Sequence, residues 1–455
     1  MKSKSAALRK MRNWTRYFYR VPWCVPAWGA REFFLTIKCL MTLRIVRGSY
    51  PERAAAAVKD YLGVRYALPV NRGRTAIELA LRALRLGADD EVVLPSYVCQ
   101  SVLDAVLQAG ARPVFADVGR DLNVTAQTVR DALTPQTKCV IVAHLFGNVA
   151  PVDEIEELLE GTGVALIDDA AQSFGARRKG RLLGTFGVCG IVSCGPGKTL
   201  AGAAGGLLVT NERELYATAS AFPLPKERAR HAARRLLSFW AWRRFRKLTL
   251  PFKNILDRVW RAPLEAVHES CAMSNIDGAI MLAQLRACER NTALRRRHAS
   301  VLLASLGGLA RASVTDTTVN GMLVKLILVL PREAPPVDEA ISLLARDGIE
   351  CEAGYTPLHL KYPAPHGSLK TTEAVWQRVL CIPLETEWKR KAEPLLLSQK
   401  WSGVEHSAGQ ELPSIKESGV IKESGAIEAS ETSRGEERLM GELVGPIAVR
   451  QGNDR

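Results

Sequence analysis

VALIDDAAQ, residues 164–172, runs four apolar residues straight into two adjacent carboxylates. So short and unbroken an apolar run is a strand buried on both faces, which sets it inside a parallel sheet. Asp168 and Asp169 then stand at its C-terminal end, facing the crevice where open α/β sheets bind ligands. The competing reading is that both acids cap a following helix.

The alternation of strand and helix extends outward over residues 64–210. Tyr66–Val70 reads as a strand and Thr75–Leu84 as a helix. Apolar runs recur at 92–94, 113–116 and 139–143, and helical spacing fills 101–108 and 152–159. The runs 190–194 and 206–209 have no helix between them, so that end of the sheet is expected to turn antiparallel. The fold class is therefore α/β, with a mostly parallel sheet of about seven strands covered by helices on both faces. Downstream, 276–306 reads as one long helix, and 323–330, 337–346 and 350–352 as a small α/β C-terminal domain.

These patterns divide the chain into a basic aromatic N-terminal arm (1–50), a large domain (51–221), a Pro-, Arg- and Trp-rich insertion (222–262), and a small domain with its linking helix (263–401). The tail, 402–455, carries the imperfect repeat IKESGV/IKESGA (415–426) and is expected to be disordered.

At 455 residues, 47% hydrophobic and 24% charged, the chain has a globular composition. Its ten cysteines form no CxxC pair and no zinc spacing, which favours a reducing cytoplasm and no metal. Prolines and Arg31 interrupt any signal-peptide core after the basic start. The run 33–46 carries Lys38 and Arg44 and is too short to span a bilayer.

The net charge of +15 is local. Residues 1–20 hold seven Lys or Arg and no acid, 21–50 four basic residues and Glu32, and 226–261 twelve against Glu227 and Asp257. The remaining body is mildly acidic, which disfavours nucleic acid as a partner. Trp14, Trp23, Trp28, Trp240, Trp242 and Trp260 all lie in these basic segments. From 229 to 240, Ala229, Ala233, Leu236, Leu237 and Trp240 share one helical face, and Arg230, Arg234, Arg235 and Ser238 the other. A solvated charged face accounts for the arginines but not for the aromatics. The expectation is contact with an anionic membrane surface through 1–50 and 226–261.

Chemistry concentrates at three places. SCGPGKT, 193–199, sets Lys198 in a Gly- and Pro-rich loop just after a strand, and a P-loop is disfavoured because the glycine it needs at 192 is Val192. Lys198 and Asp169 together suggest pyridoxal phosphate (PLP), since a lysine amine forms a Schiff base with its aldehyde and an aspartate partners its ring nitrogen. NRGRTA, 71–76, between the first strand and first helix of the sheet, offers Gly73, Arg74 and Thr75 to a phosphate at a helix N-terminus.

In this order the motifs GRTAIELAL (73–81), GADDEVVLPSY (87–97), AGARPVFADV (109–118), HLFGN (144–148), IDDAAQSFGA (167–176), GKTL (197–200), GGLLVTN (205–211), MSN (273–275) and YTPLH (355–359) resemble the DegT/DnrJ/StrS sugar aminotransferases of PLP fold type I. The resemblance spans roughly 55–390 and makes 51–221 the PLP-binding domain. It implies Lys198 as the Schiff-base lysine, Asp169 as the pyridinium partner, Gln172 at the ring hydroxyl, and Ser193 with Arg74 and Thr75 at the phosphate. Cys99 stands where the family stacks an aromatic on the ring, leaving Tyr97 or Cys99 for that role. Ser270 and Ala272 replace an Asn and an Arg, the Asn serving a neighbouring subunit's phosphate. The resemblance further implies a homodimer acting on a keto-sugar, with an amino donor such as glutamate. A non-catalytic relative that binds through its basic segments is the alternative. A dehydratase is disfavoured because that set carries histidine in place of the lysine.

Overall fold

The protein is described by a computed structural model over residues 28–243, 269–306, 313–315 and 321–384, except 333, 347, 348 and 366. Most of the basic arm, the second half of the insertion and the tail with its repeat lie outside the described residues.

A seven-stranded sheet forms the centre. Its strands are β1 (Tyr66–Val70), β2 (Glu91–Pro95), β3 (Arg112–Ala116), β4 (Thr137–Ala143), β5 (Ala165–Asp169), β8 (Cys189–Ser193) and β9 (Gly206–Thr210), in the order β1-β9-β8-β5-β4-β2-β3. The two-residue strands β6 (Arg177–Arg178) and β7 (Arg181–Leu182) form a separate hairpin. Neighbours from β3 to β8 are parallel, and β9 runs antiparallel to both β8 and β1. The reversal falls where no helix separates two apolar runs, because the 194–205 loop contains no crossover helix.

Ahead of the sheet come α1 (Ala30–Met41) and α2 (Tyr50–Leu62). The helices that follow within it are α3 (Gly73–Ala83), α4 (Gln100–Ala109), α5 (Ala126–Arg130), α6 (Val152–Leu159) and α7 (Arg213–Ala221). Strand β4 shows how both sheet faces are buried: Cys139, Ile141 and Ala143 join one core cluster, with Leu79 and Leu103 from α3 and α4. Val140 and Val142 join the other, with Val58 from α2 and Ile155 from α6. A period of two with both sides apolar produces the unbroken hydrophobic runs of the sequence.

Beyond the sheet, α8 (Ala229–Arg243) lies in the insertion and α9 (Asn275–Ser305) is the long helix. The Ser274 hydroxyl caps α9 by accepting from Asp277 N at 3.2 Å. A three-stranded antiparallel sheet, β10 (Lys325–Val329), β12 (Val379–Pro383) and β11 (Glu352–Ala353), packs with α10 (Val337–Arg346) over a core of its own. The central strand β12 has no counterpart in the sequence reading. A last helix, α11 (Lys370–Val375), precedes it.

The face assigned to α8 needs correction. Its buried line is Ala232 and Leu236, while Ala229 and Leu237 are exposed. Arg235, expected on the solvent side, reaches inward to ion pairs with Glu227 and Asp277. Two largely buried carboxylates require a cation, and that demand rotates the helix away from the hydrophobic solution.

Candidate functional site

A cavity of about 450 Å³ opens at the C-terminal ends of β5 and β8, roofed by the first turns of α3 and α4 and by the 194–205 loop. Gly73, Arg74, Cys99, Asp169, Gln172, Ser193 and Lys198 all line it.

The 71–74 cradle is pinned from three sides: Asn71 N donates to Cys271 O, Gly205 N donates to Asn71 O, and Asn71 Nδ2 donates to Glu269 O. Where β9 begins, the chain passes so close that a Cβ on Gly206 would lie 2.4 Å from the Arg72 carbonyl carbon. A Cβ on Gly73 would lie 3.2 Å from the Cβ of Ser193, so the bare glycine leaves room for the Ser193 side chain at the cavity floor. Arg74 is held by Asp104 at 3.3 Å. Lys198 follows Gly197, whose φ of 69° gives the loop the left-handed turn that presents the lysine.

The paired acids divide their work. Asp168 is fully buried: its Oδ1 faces His144 Nε2 at 2.8 Å, and its Oδ2 accepts from Gly184 N and Phe186 N. Ala150 N donates to His144 Nδ1, so the hydrogen-bond network assigns the proton to Nε2, which donates to Asp168. One residue on, Asp169 turns to the cavity and its Oδ1 accepts from Ala171 N at 3.0 Å. Burial holds the Asp169 carboxyl above its ordinary range, against the pull of Lys198. Neither acid caps a helix, because turns follow β5. Gln172 is oriented by Phe146 N donating to its Oε1 and by its own Nε2 donating to the Tyr355 hydroxyl.

Two expected site residues face elsewhere. Thr75 donates its hydroxyl to Asn71 Oδ1 at 2.7 Å and does not line the cavity, since on α3 it points back toward the preceding turn. Tyr97 is fully buried outside the lining, with its hydroxyl accepting from Tyr355 N and its ring beside Phe146 and Tyr355. Its large ring fills the junction with the 355–359 segment, which leaves the smaller Cys99 against the cavity. Ser270 donates to Glu78 instead of reaching outward. Sequence reasoning missed Arg72, which lines the cavity as the N-cap residue of α3. Burial first, then Arg235 and Arg74, lowers its pKa, and an anion in the cavity would relieve both. The second arginine of NRGR, beside Arg74, was the available signal.

A mostly parallel sheet with a loop lysine and a buried aspartate at one cavity defines a fold type I aminotransferase. The chain belongs to the DegT/DnrJ/EryC1/StrS aminotransferase family, whose model matches residues 30–393. A GDP-perosamine synthase from Caulobacter vibrioides is 28% identical over 364 residues, covering 78% of this chain and 90% of that protein. Aminotransferase TlmJ from Streptoalloteichus hindustanus superposes with a TM-score of 0.66 at 25% identity, covering 84% and 98% of the two chains. GDP-4-keto-6-deoxy-D-mannose-3-dehydratase from E. coli shares the fold at TM-score 0.67 and 20% identity, covering 84% and 99%.

The family's cofactor, PLP, fits the residues present. Asp169 is a buried carboxylate that desolvation holds high, and a cationic ring nitrogen would reverse that shift. Gly73 keeps the floor open beside Ser193, and Arg72 and Arg74 supply charge for a phosphate.

Two substitutions separate the acids. Asp168→Asn should set an amide donor against either the His144 Nε2 proton or the Gly184 and Phe186 N–H groups and destabilise the fold by about 1–3 kcal/mol, read by denaturant titration. Asp169 behaves oppositely. Its raised pKa means that stability supported by its protonation, complete below the unfolded-chain value, is lost as pH rises through the folded value. At neutral pH without cofactor, Asp169→Asn should therefore melt no lower than wild type. Added PLP should raise the wild-type melting temperature more than the variant's.

Proposed function

We propose that the protein transfers an amino group from an amino acid, such as glutamate, to the carbonyl of a keto-sugar that is nucleotide-linked or lipid-linked, in the synthesis of a polysaccharide or glycoconjugate. The observation that carries this is the convergence of Lys198 and Asp169 on one cavity. When bound there, PLP supplies an electron sink for the bonds to the reacting carbon.

The chain's own residues would do the rest. Lys198 Nζ would hold the cofactor covalently and, once displaced by the incoming amine, take and return the proton of the reacting carbon. Asp169 would keep the ring nitrogen protonated. Gln172, its amide fixed by Phe146 and Tyr355, would hold the ring hydroxyl, and Ser193, Arg74 and Arg72 the phosphate. Cys99 and Ala171 give the cavity small walls, leaving width for a sugar. The dehydratase reading shares the fold, and Lys198 supports aminotransfer over it.

Lys198→Ala should lower turnover at least about 10³-fold. Borohydride reduction of the wild type should leave the cofactor on the peptide containing Lys198. Full turnover in the variant would end this reading.

The working unit proposed is a C2 homodimer, the commonest closed arrangement. Light scattering of the active holoprotein should give twice the chain mass, and an active monomer would refute it.

A further inference from the structure

Helix α1 is built inside out. The side facing the body carries Glu32, Thr36 and Cys39, all buried, and Glu32 Oε1 accepts from Gln284 Nε2 at 2.8 Å. The outward side carries Ala30, Phe33, Phe34, Ile37 and Met41, which at helical periodicity fall within an arc of about 100°. Phe34 is 66% exposed, Met41 81%, and Leu43, just past the helix end, 85%. Surface helices of globular proteins show the reverse arrangement. So large an apolar patch on the outside marks a surface meant to be covered.

The rim of the patch identifies the cover. Arg31, Lys38, Arg44 and Arg47 are exposed, and the one carboxylate between Trp28 and Ser49, Glu32, points inward. Helix α8 is anchored beside α1, with Leu236 sharing a buried cluster with Trp28 and Cys39, and Ala229–Arg243 contains no acid. Residues 1–20, which lead toward α1, add seven more basic residues and no acid. A second copy docking here across a two-fold axis would set these cations against their own equivalents. An anionic bilayer matches both the apolar arc and the charge around it. Among the described residues no helix is long and apolar enough to cross a membrane.

We propose that α1 lies in the plane of an anionic membrane surface, with Phe33, Phe34, Ile37, Met41 and Leu43 in the headgroup and acyl boundary and the flanking cations on the lipid phosphates. The attachment is independent of the chemistry at Lys198. A substrate carried on lipid, or a product passed to a membrane-bound acceptor, would then be met at the surface where it resides.

The test is co-sedimentation of the full-length holoprotein with phosphatidylcholine vesicles, with and without phosphatidylglycerol. Wild type should bind the anionic vesicles, and more weakly as salt rises. Phe34→Ser/Met41→Ser should partition at least about tenfold more weakly, with turnover and melting temperature unchanged. Arg31→Glu/Lys38→Glu should lose the preference for anionic lipid. The proposal is overturned if wild type fails to sediment with anionic vesicles, or if Phe34→Ser/Met41→Ser sediments as wild type does. Loss of dimer mass in that variant, without vesicle binding by either protein, would assign the face to a second copy instead. Turnover is a separate readout, so failure of attachment and failure of aminotransfer are distinguishable.

Discussion

The carboxylate of Asp168 is the point on which the site depends. Fully buried at the end of β5, it gathers His144 from the segment after β4 and the backbone of Gly184 and Phe186 from the turn before β8. Two stretches separated in sequence are thereby tied to the end of one strand. Side chains alternate across a strand, so fixing Asp168 into the protein fixes Asp169 toward the cavity. The pair is a structural anchor and a chemical group in adjacent positions, each requiring the other's orientation.

The electrostatics of the cavity follow from the charged groups that burial disfavours there. Arg74 is balanced by Asp104, whereas burial and neighbouring cations lower the pKa of Arg72, and burial raises that of Asp169 against the pull of Lys198. The cavity thus carries buried cationic charge beside 71–74 and a desolvated carboxyl beside 169. An anionic phosphate and a cationic ring satisfy them together. That complementarity, independent of any relative, is the physical case for PLP.

Much of this was legible in the sequence because the strands are buried on both faces and announce themselves as unbroken apolar runs. The reversal at β9 was legible because the 194–205 interval is too Gly-rich to be a helix. The misses have a common cause. Thr75, Tyr97 and Arg235 were each assigned a direction from local periodicity or family position, but Asn71, Tyr355 and Asp277, partners distant in sequence or just ahead of the helix, decide where they point. Strand β12 was missed because its five residues look like any short apolar run until β10 and β11 flank it. The inverted burial of α1 could be seen only once its inner side had a neighbour in Gln284.

The antiparallel strand also constrains how the molecule can be made. Tyr66 of β1 pairs with Thr210 of β9, so the first strand of the sheet waits for the last one before it gains its ladder. The cradle at 71–74 leans on that same junction through Gly205. During synthesis the intervening parallel strands can assemble around β5 while β1 stays an unpaired edge. Contact order of this kind slows the final step and leaves apolar backbone open to association meanwhile. The cavity is thus the last part of the large sheet to exist, and a nascent chain halted before β9 would carry both acids in place and no cradle to face them.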